Sequence, residues 1–196
     1  MNTRNQNQQE YYQKQLADGQ LYQDFAVDCC WSILGLAVVQ YGSKLYQHQV
    51  GESRTGVEIK HDKRYAETGN LYIEVGEKAS IRNGEHAASG IERGDNSWLY
   101  LIGDYNTIFV FSKRLLQQLH KCGKYEVFEI SMKTSRGFLL PGEDAEKYAA
   151  QIMYPNAEKK LGKLAADMSL AARELHDLIV KPNGKLQLHL FQGESK

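Results

Sequence analysis

The chain has 196 residues, of which 42% are hydrophobic, and this size and composition suit one domain with a substantial core. Lysine plus arginine and aspartate plus glutamate balance at 24 each, so the chain carries no overall basic field. This balance counts against a dedicated DNA-binding protein. The longest apolar stretch, Cys29 to Val39, is too short to span a bilayer, and the Asn/Gln-rich start of the chain predicts no signal peptide.

The cysteines do not form a disulfide framework, because there are three of them and two are adjacent. Cys29 and Cys30 lie within the apolar stretch, and we expect them to be reduced core residues. Reduced cysteines favour a cytoplasmic setting.

The first half of the chain predicts a tail, a helix and three strands. Residues 1–9 are a polar tail that we expect to be disordered, and residues 10–196 are expected to form a single domain. The pattern predicts a helix from Gln20 to Tyr41, ended by Gly42 as its C-terminal cap. The predicted strands span residues 44–50, 56–62 and 70–76.

The second half of the chain is predicted to continue the sheet and then to add helices. A loop rich in glycine and charge over residues 83–96 leads to a strand, a turn, a strand and a helix. These elements span residues 98–102, 103–106, 108–111 and 112–120. Beyond them the pattern predicts a strand over 125–133, helices over 144–152 and 156–180, and a last strand over 186–190. The leucine-rich face of the helix 156–180 is interpreted as core packing, with a homodimer interface as the alternative.

The strand predicted at residues 56–62 carries the chain's most informative motif. Glu58, Lys60 and Asp62 fall on one face, because successive side chains of a strand alternate. Val57 and Ile59 fall on the other face, where they anchor the strand in a core. In many metal-dependent nucleases such a carboxylate holds Mg²⁺, while the ammonium orients the attacking water or neutralises a phosphate.

This strand is followed by the sequence TGNLYIE at residues 68–74. An E-x-K-x-D strand followed by T-G-N-(apolar)-x-(apolar)-E resembles the PD-(D/E)XK, or restriction-endonuclease-like, nuclease superfamily, in particular its small phage- and mobile-element-type members. The resemblance covers residues 44–120. It implies an α/β fold with a restriction-endonuclease-like core, in which a mixed central β-sheet is flanked by helices, here with C-terminal helical additions.

The resemblance also implies an activity, namely hydrolysis of phosphodiester bonds of nucleic acid, with DNA the expected substrate and Mg²⁺ or Mn²⁺ the cofactor. Glu58 is then a metal ligand and Lys60 the catalytic lysine. Glu74, in the strand that follows, is interpreted either as a partner of Lys60 or as an exposed strand residue.

The superfamily usually supplies a further aspartate before the E-x-K strand, and this chain departs from that pattern. No Asp or Glu lies between Asp28 and Glu52. We expect Glu52 to complete the metal and catalytic site, because Gly51 and Gly56 bracket a reversal that would bring it back towards Glu58. Asp28, on the first predicted helix, is the alternative ligand. The backbone carbonyl of Ile59 is expected to be a further oxygen ligand.

Local basic residues are the candidates for contact with nucleic acid. Lys63 and Arg64 follow the E-x-K strand, while Lys113 and Arg114 open a predicted helix. The 12 tyrosines are scattered and their spacing shows no base-stacking platform.

The missing aspartate and the neutral net charge leave a second function class open. In that alternative the chain is a catalytically inactive module with the same fold, which binds nucleic acid or a protein partner in a phage or defence system.

Overall fold

The computed structural model describes residues 3–80, 84–130 and 134–157, and its first compact unit ends at Pro155. The predicted α/β class is confirmed, because two four-stranded sheets are flanked by helices. The described helices are α1 (Thr3–Leu34), α2 (Lys44–Gln49), α3 (Tyr65–Thr68), α4 (Lys113–Lys121) and α5 (Gly142–Tyr148). The described strands are β1 (Val57–His61), β2 (Asn70–Glu77), β3 (Ala87–Ala88), β4 (Leu99–Gly103), β5 (Ile108–Ser112), β6 (Phe128–Glu129), β7 (Ser135–Pro141) and β8 (Gln151–Met153).

The first sheet is mixed and has the strand order β1-β4-β5-β8. The edge strand β1 runs parallel to β4, whereas β4–β5 and β5–β8 are antiparallel pairs. The turn predicted between β4 and β5 is present, and the Asp104 carboxylate accepts hydrogen bonds from the Asn106 and Thr107 amides within it.

The second sheet is antiparallel and has the strand order β3-β2-β7-β6. The register of β2 against β7 shifts between Glu74 and Gly76, as it does at a β-bulge. The T-G-N strand therefore belongs to a different sheet from the E-x-K strand.

Two hydrophobic clusters cover the two faces of the first sheet. On one face, Val57, Ile59 and Leu101 pack against the α1 residues Tyr22, Ala26, Cys29 and Cys30. On the other face, Tyr100, Ile102, Phe109 and Phe111 pack against Leu71, Ile73, Phe138 and Leu140 of the second sheet. Each such buried apolar side chain contributes about 1.5–3 kcal/mol. The resulting layers are α1, the first sheet and the second sheet.

Several predicted elements differ in the structure, among them the strand predicted at 125–133, of which only Phe128–Glu129 is a strand within the described residues. The first helix begins at Thr3 rather than Gln20, so the expected disordered tail over residues 3–9 is part of α1. Its polar residues do not prevent this, because Gln and Glu are good helix formers and no proline interrupts them. The helix ends at Leu34, not Tyr41, since Gly35 adopts a left-handed conformation and its amide bonds to the Trp31 carbonyl.

The prediction of a strand at residues 44–50 is wrong, because this segment forms the helix α2. Its alternation is short, and its Lys, Leu and Gln residues are good helix formers. The strand β7 was not predicted. The helix predicted at 144–152 is shorter in the structure and begins earlier, spanning Gly142–Tyr148. The strand β8 occupies the end of the predicted range.

Other elements are confirmed or lie outside the described residues. The strands predicted at 56–62, 70–76, 98–102 and 108–111 and the helix at 112–120 match β1, β2, β4, β5 and α4. The predicted helix 156–180, with its leucine stripe, and the strand 186–190 fall outside the described residues. Among the described helices, none combines the length and the apolar composition that crossing a membrane requires.

Gly137 is a point where β7 closely approaches β2. A Cβ atom there would meet the Ile73 carbonyl and lie 2.8 Å from the Tyr72 ring. Gly137→Ala is therefore expected to lower the free energy of unfolding by about 1–3 kcal/mol, the usual cost of overpacking. Urea denaturation measures this loss.

The matched control is Gly84→Ala, because a Cβ atom at Gly84 meets nothing within 4 Å. Its free energy of unfolding should stay within about 0.5 kcal/mol of the wild type. Equal stability of the two variants would contradict the close approach at Gly137.

Candidate functional site

The free edge of β1 organises the candidate site. The amide of Asp62 and the carbonyl of Gly56 bond to β4, so the alternate residues Val57, Ile59 and His61 turn their backbone groups to the open edge. The Ser53 hydroxyl closes part of this edge, since it accepts from the Val57 amide at 2.7 Å and donates to the Val57 carbonyl at 2.9 Å.

Glu52 closes the next position along the same edge. One oxygen of its carboxylate accepts a hydrogen bond from the Ile59 amide at 3.3 Å. Because the amide and the carbonyl of one strand residue point to the same edge, the Ile59 carbonyl also faces the Glu52 side of β1.

The reversal that returns Glu52 to β1 depends on two glycines, as predicted. Gly51 and Gly56 have φ angles of 138° and 70°, which L side chains rarely adopt. A Cβ atom at Gly56 would also lie 2.5 Å from the Trp98 ring and 2.6 Å from the Asn96 carbonyl.

Lys60 joins the two carboxylates that the reversal brings together. Its ammonium lies 3.0 Å from Glu58 Oε1 and 3.4 Å from Glu52 Oε1. Burial alone would lower the pKa of Lys60, but Glu52 and Glu58 outweigh it and raise that pKa well above its ordinary value. Lys60 is thus a cation held between two anions.

Glu58 is the most enclosed member of this group, with a side chain only 2% exposed. Burial raises the pKa of Glu58, an effect that Glu52 adds to and that Lys60 and Lys113 oppose. The ammonium of Lys113 lies 4.0 Å from Glu58 Oε2, and the Ser97 hydroxyl lies 3.5 Å from the same oxygen.

Lys113 belongs to the interior of the site and not to a phosphate-binding surface, which corrects its predicted role. Its side chain is 4% exposed, and its ammonium donates to Asp95 Oδ1 at 2.7 Å and to the Arg93 carbonyl at 2.9 Å. Burial alone would raise the pKa of Asp95, but hydrogen bonds from Lys113 and Ser97 outweigh it and lower that pKa.

Asp62, the last residue of the E-x-K-x-D motif, connects the two sheets. Its carboxylate accepts from the Tyr72 amide of β2 at 2.8 Å and from the Arg64 amide at 3.0 Å. Between these strands, Gly69 ends α3 in a left-handed conformation, and the Thr68 hydroxyl accepts from the Asn70 amide. Asp62 and the T-G-N motif therefore shape the connection between β1 and β2.

Asp28 lies apart from this group. It is an exposed residue of α1, and α1 packs on the face of β1 that carries Val57 and Ile59. Glu58 and Lys60 project from the opposite face, since side chains of a strand alternate. The structure thus brings Glu52, and not Asp28, together with Glu58.

The remaining basic candidates are exposed. Lys63 donates to Gln15 and Asp18 of α1, at 2.8 and 3.1 Å. Arg64 and Arg114 are also exposed, and within the described residues the Arg64 guanidinium forms no ion pair.

A cleft of about 650 Å³ opens beside Lys60 and is also lined by Arg64, Tyr72, Glu74 and Tyr100. Glu74 is partly buried there, and its two carboxylate oxygens accept hydrogen bonds from the Ser89 and Ser135 hydroxyls. Glu74 is therefore a fixed part of the cleft wall and not a freely exposed strand residue.

The oxygen donors at the β1 edge suit Mg²⁺, which is usually bound by one or two carboxylates together with waters. Glu52, Glu58 and the Ile59 carbonyl supply such donors, but the Lys60 ammonium lies between the carboxylates and has to turn aside for an ion to bind both. Within residues 3–80, 84–130 and 134–157, no group of three or more His, Cys, Asp or Glu side chains is placed to hold a metal ion.

Comparison with protein-family models, with curated proteins and with solved structures finds no match for the chain. The likeness to the PD-(D/E)XK superfamily therefore rests on the motif residues, and the restriction-endonuclease-like core stays a proposal.

The site residues that the sequence analysis missed are Asp95, from the loop predicted at 83–96, and Ser97, which directly follows that loop. Their partners Lys113 and Glu58 are 18 and 39 residues away along the chain. No local pattern signals such contacts, because tertiary folding alone creates them.

The buried ion pair of Lys113 and Asp95 leads to a prediction about the free energy of unfolding. Lys113→Met should lower the free energy of unfolding by about 3 kcal/mol, the lower end of the cost of breaking a buried ion pair. The variant removes the nearer cation of the buried Asp95 carboxylate and leaves it with Arg93, whose Nε lies 3.6 Å from Asp95 Oδ2. Urea denaturation at neutral pH measures this loss.

The neighbouring variant Arg114→Met is the control, since Arg114 is exposed, and it should change stability by no more than about 0.5 kcal/mol. Adding Asp95→Asn to Lys113→Met should restore part of the loss. A Lys113→Met protein as stable as the Arg114→Met protein would contradict the buried pair.

Proposed function

We propose that the chain is a Mg²⁺-dependent nuclease of the PD-(D/E)XK kind that hydrolyses phosphodiester bonds, with DNA the expected substrate. The observation that carries the proposal is the meeting of Glu52 and Glu58 at the ammonium of Lys60, on the free edge of β1. The E-x-K motif supplies two of these residues, and the glycine-bracketed reversal supplies the third.

The carboxylates of Glu52 and Glu58 and the carbonyl of Ile59 are the groups that would hold the metal ion. A bound Mg²⁺ would polarise the phosphoryl oxygen and lower the pKa of a water. The same three groups would bind either Mg²⁺ or Mn²⁺.

Lys60 supplies the positive charge on the reacting side. Its side chain is 37% exposed, so the residue is accessible from solvent while both carboxylates hold its ammonium in place. In this role it stabilises the charge that develops on the phosphate and orients the incoming water. Lys113, behind Glu58, keeps the buried carboxylate in position.

Arg64 and Lys63 are the cations that would meet the nucleic-acid backbone on this side, and Arg114 would meet it from α4. Arg64 is the strongest candidate for contact with the nucleic-acid backbone, because it lines the cleft beside Lys60 and its guanidinium forms no ion pair within the described residues. Lys63 is already engaged by Asp18.

One observation favours the second candidate function, a catalytically inactive module that binds nucleic acid or a protein partner. The Lys60 ammonium already neutralises both carboxylates, which is also the arrangement of a purely structural ion-pair cluster. The two functions differ in whether Mg²⁺ displaces that ammonium.

Lys60→Ala is expected to reduce cleavage about 100-fold or more, the usual effect of removing one preorganised group that stabilises developing charge. Cleavage of a fluorescently labelled DNA in millimolar Mg²⁺ measures the rate, and circular dichroism checks that the variant is folded. The matched control is Lys121→Ala, because Lys121 is an exposed lysine of α4 away from the cleft.

Cleavage by Lys60→Ala at the rate of the Lys121→Ala control would refute the role of Lys60. Absence of Mg²⁺-dependent cleavage in the wild type, on single-stranded and duplex DNA and on RNA, would favour the inactive module.

Measurements of metal binding distinguish between Glu52 and Asp28 as the ligand that joins Glu58. Glu52→Gln and Glu58→Gln should each weaken Mn²⁺ binding about tenfold or more, because each removes one anionic oxygen ligand. Asp28→Asn should leave binding unchanged, since Asp28 belongs to the helix on the opposite face of β1. Electron paramagnetic resonance of a Mn²⁺ titration reports the free ion directly.

Loss of Mn²⁺ binding in Asp28→Asn but not in Glu52→Gln would refute the choice of Glu52 and leave the nuclease proposal standing. Equal Mn²⁺ binding by the wild type and by the Glu58→Gln variant would count against any metal site at β1.

A further inference from the structure

The cleft beside Lys60 has a second wall that the proposed chemistry does not use. Its volume of about 650 Å³ lies within the range of about 300–1,000 Å³ that is typical of sites for small organic ligands. Besides Lys60 and Arg64, its lining includes the aromatic or aliphatic side chains of Tyr72, Tyr100, Ile102, Phe128, Ile130 and Leu139.

The second sheet contributes an aromatic surface to this wall. Phe128 is 38% exposed and Leu139 is 43% exposed, so large apolar side chains remain open to solvent inside a concave site. The Phe128 and Tyr72 rings lie 6.0 Å apart at an interplanar angle of 58°.

Gly137 makes this ring pair possible. It is the register partner of Phe128 across β6 and β7, and the Tyr72 ring occupies the space where a side chain of Gly137 would stand. The Tyr72 hydroxyl is fixed at 2.8 Å from the Ser135 hydroxyl, which leaves the Phe128 ring as the more open of the two.

Two cations, Lys60 and Arg64, and two carboxylates, Asp62 and Glu74, line the cleft, and of the cations Arg64 is the one available to an anion next to this aromatic wall. The Asp62 and Glu74 carboxylates accept hydrogen bonds from two backbone amides and two serine hydroxyls, which stabilise the carboxylates and hold them in place. The Arg64 guanidinium forms no ion pair within the described residues, so its positive charge remains available.

We propose that the cleft binds an unpaired nucleotide of a single strand, with its base stacked on Phe128 and its phosphate held by Arg64 and Lys60. This inference rests on the proposed nuclease function and names its substrate class. A single strand is required, because the bases of a duplex are stacked on one another and offer no free face to an aromatic ring.

The test is fluorescence anisotropy with the full chain and two labelled probes, an oligothymidylate of about 12 nucleotides and its blunt duplex, a length within the range that single-strand sites cover. Each titration is run in a chelator and again in Ca²⁺, which offers the same oxygen preference as Mg²⁺. We expect the single strand to bind about tenfold or more tightly than the duplex.

Phe128→Leu is the decisive variant, since it keeps apolar bulk but removes the aromatic face. It should weaken single-strand binding about five- to hundredfold, the range that stacking of a base on an aromatic side chain gives. Phe128→Trp should restore binding. The matched control is Val127→Ala, because Val127 is 37% exposed and adjacent in sequence but is not part of the cleft lining.

Arg64→Ala should weaken binding of the single strand and reduce its dependence on salt, because one phosphate contact is lost. The control Lys121→Ala removes an exposed cation outside the cleft and should leave single-strand binding unchanged.

Equal binding of single strand and duplex, or Phe128→Leu binding the single strand as tightly as the wild type, would overturn the inference even if the protein cleaves DNA. Phe128-dependent single-strand binding without cleavage in Mg²⁺ would sustain the inference while the nuclease proposal fails. Absence of binding to either probe in both conditions would overturn the inference.

Discussion

Closure of the free edge of β1 is the constraint on which the candidate site depends. An edge strand presents unpaired amides and carbonyls, and side chains of this chain bond three of those on β1 in place of a further strand. The Ser53 hydroxyl forms hydrogen bonds with the amide and the carbonyl of Val57, and the Glu52 carboxylate accepts a hydrogen bond from the Ile59 amide. The same contacts fix Glu52 beside Lys60, so one short reversal both protects the edge and assembles the carboxylate pair.

Charge balance determines what this edge can do. Glu52, Glu58 and Asp95 face Lys60, Lys113 and Arg93 in a group that is largely closed to solvent on the Glu58 side and open on the Lys60 side. A buried ion-pair group of this kind is weak evidence for stability, because desolvation of the charges offsets most of their attraction. Its position on an edge strand, beside a cleft, fits the proposed function, which needs both carboxylates and a nearby cation.

Local patterns in the sequence account for the parts of the fold that were predicted. The alternation of β1, β2, β4 and β5, and the turn chemistry between β4 and β5, are encoded in adjacent residues. The glycine-bracketed reversal at residues 51–56 was predictable for the same reason. The assignment of β1 and β2 to different sheets, the helix α2 and the burial of Lys113 were not predictable, since each depends on contacts with distant segments that no local pattern records.

In the proposed function, Glu52 and Glu58 form a metal site at the β1 edge, and Lys60 turns aside when the ion binds. Anomalous diffraction from crystals grown with millimolar Mn²⁺ tests this most directly. We expect an anomalous peak within about 2.0–2.6 Å of an oxygen of each carboxylate and of the Ile59 carbonyl, the usual metal–oxygen range. An empty β1 edge at that concentration, with the Lys60 ammonium still bound to both carboxylates, would contradict the proposal.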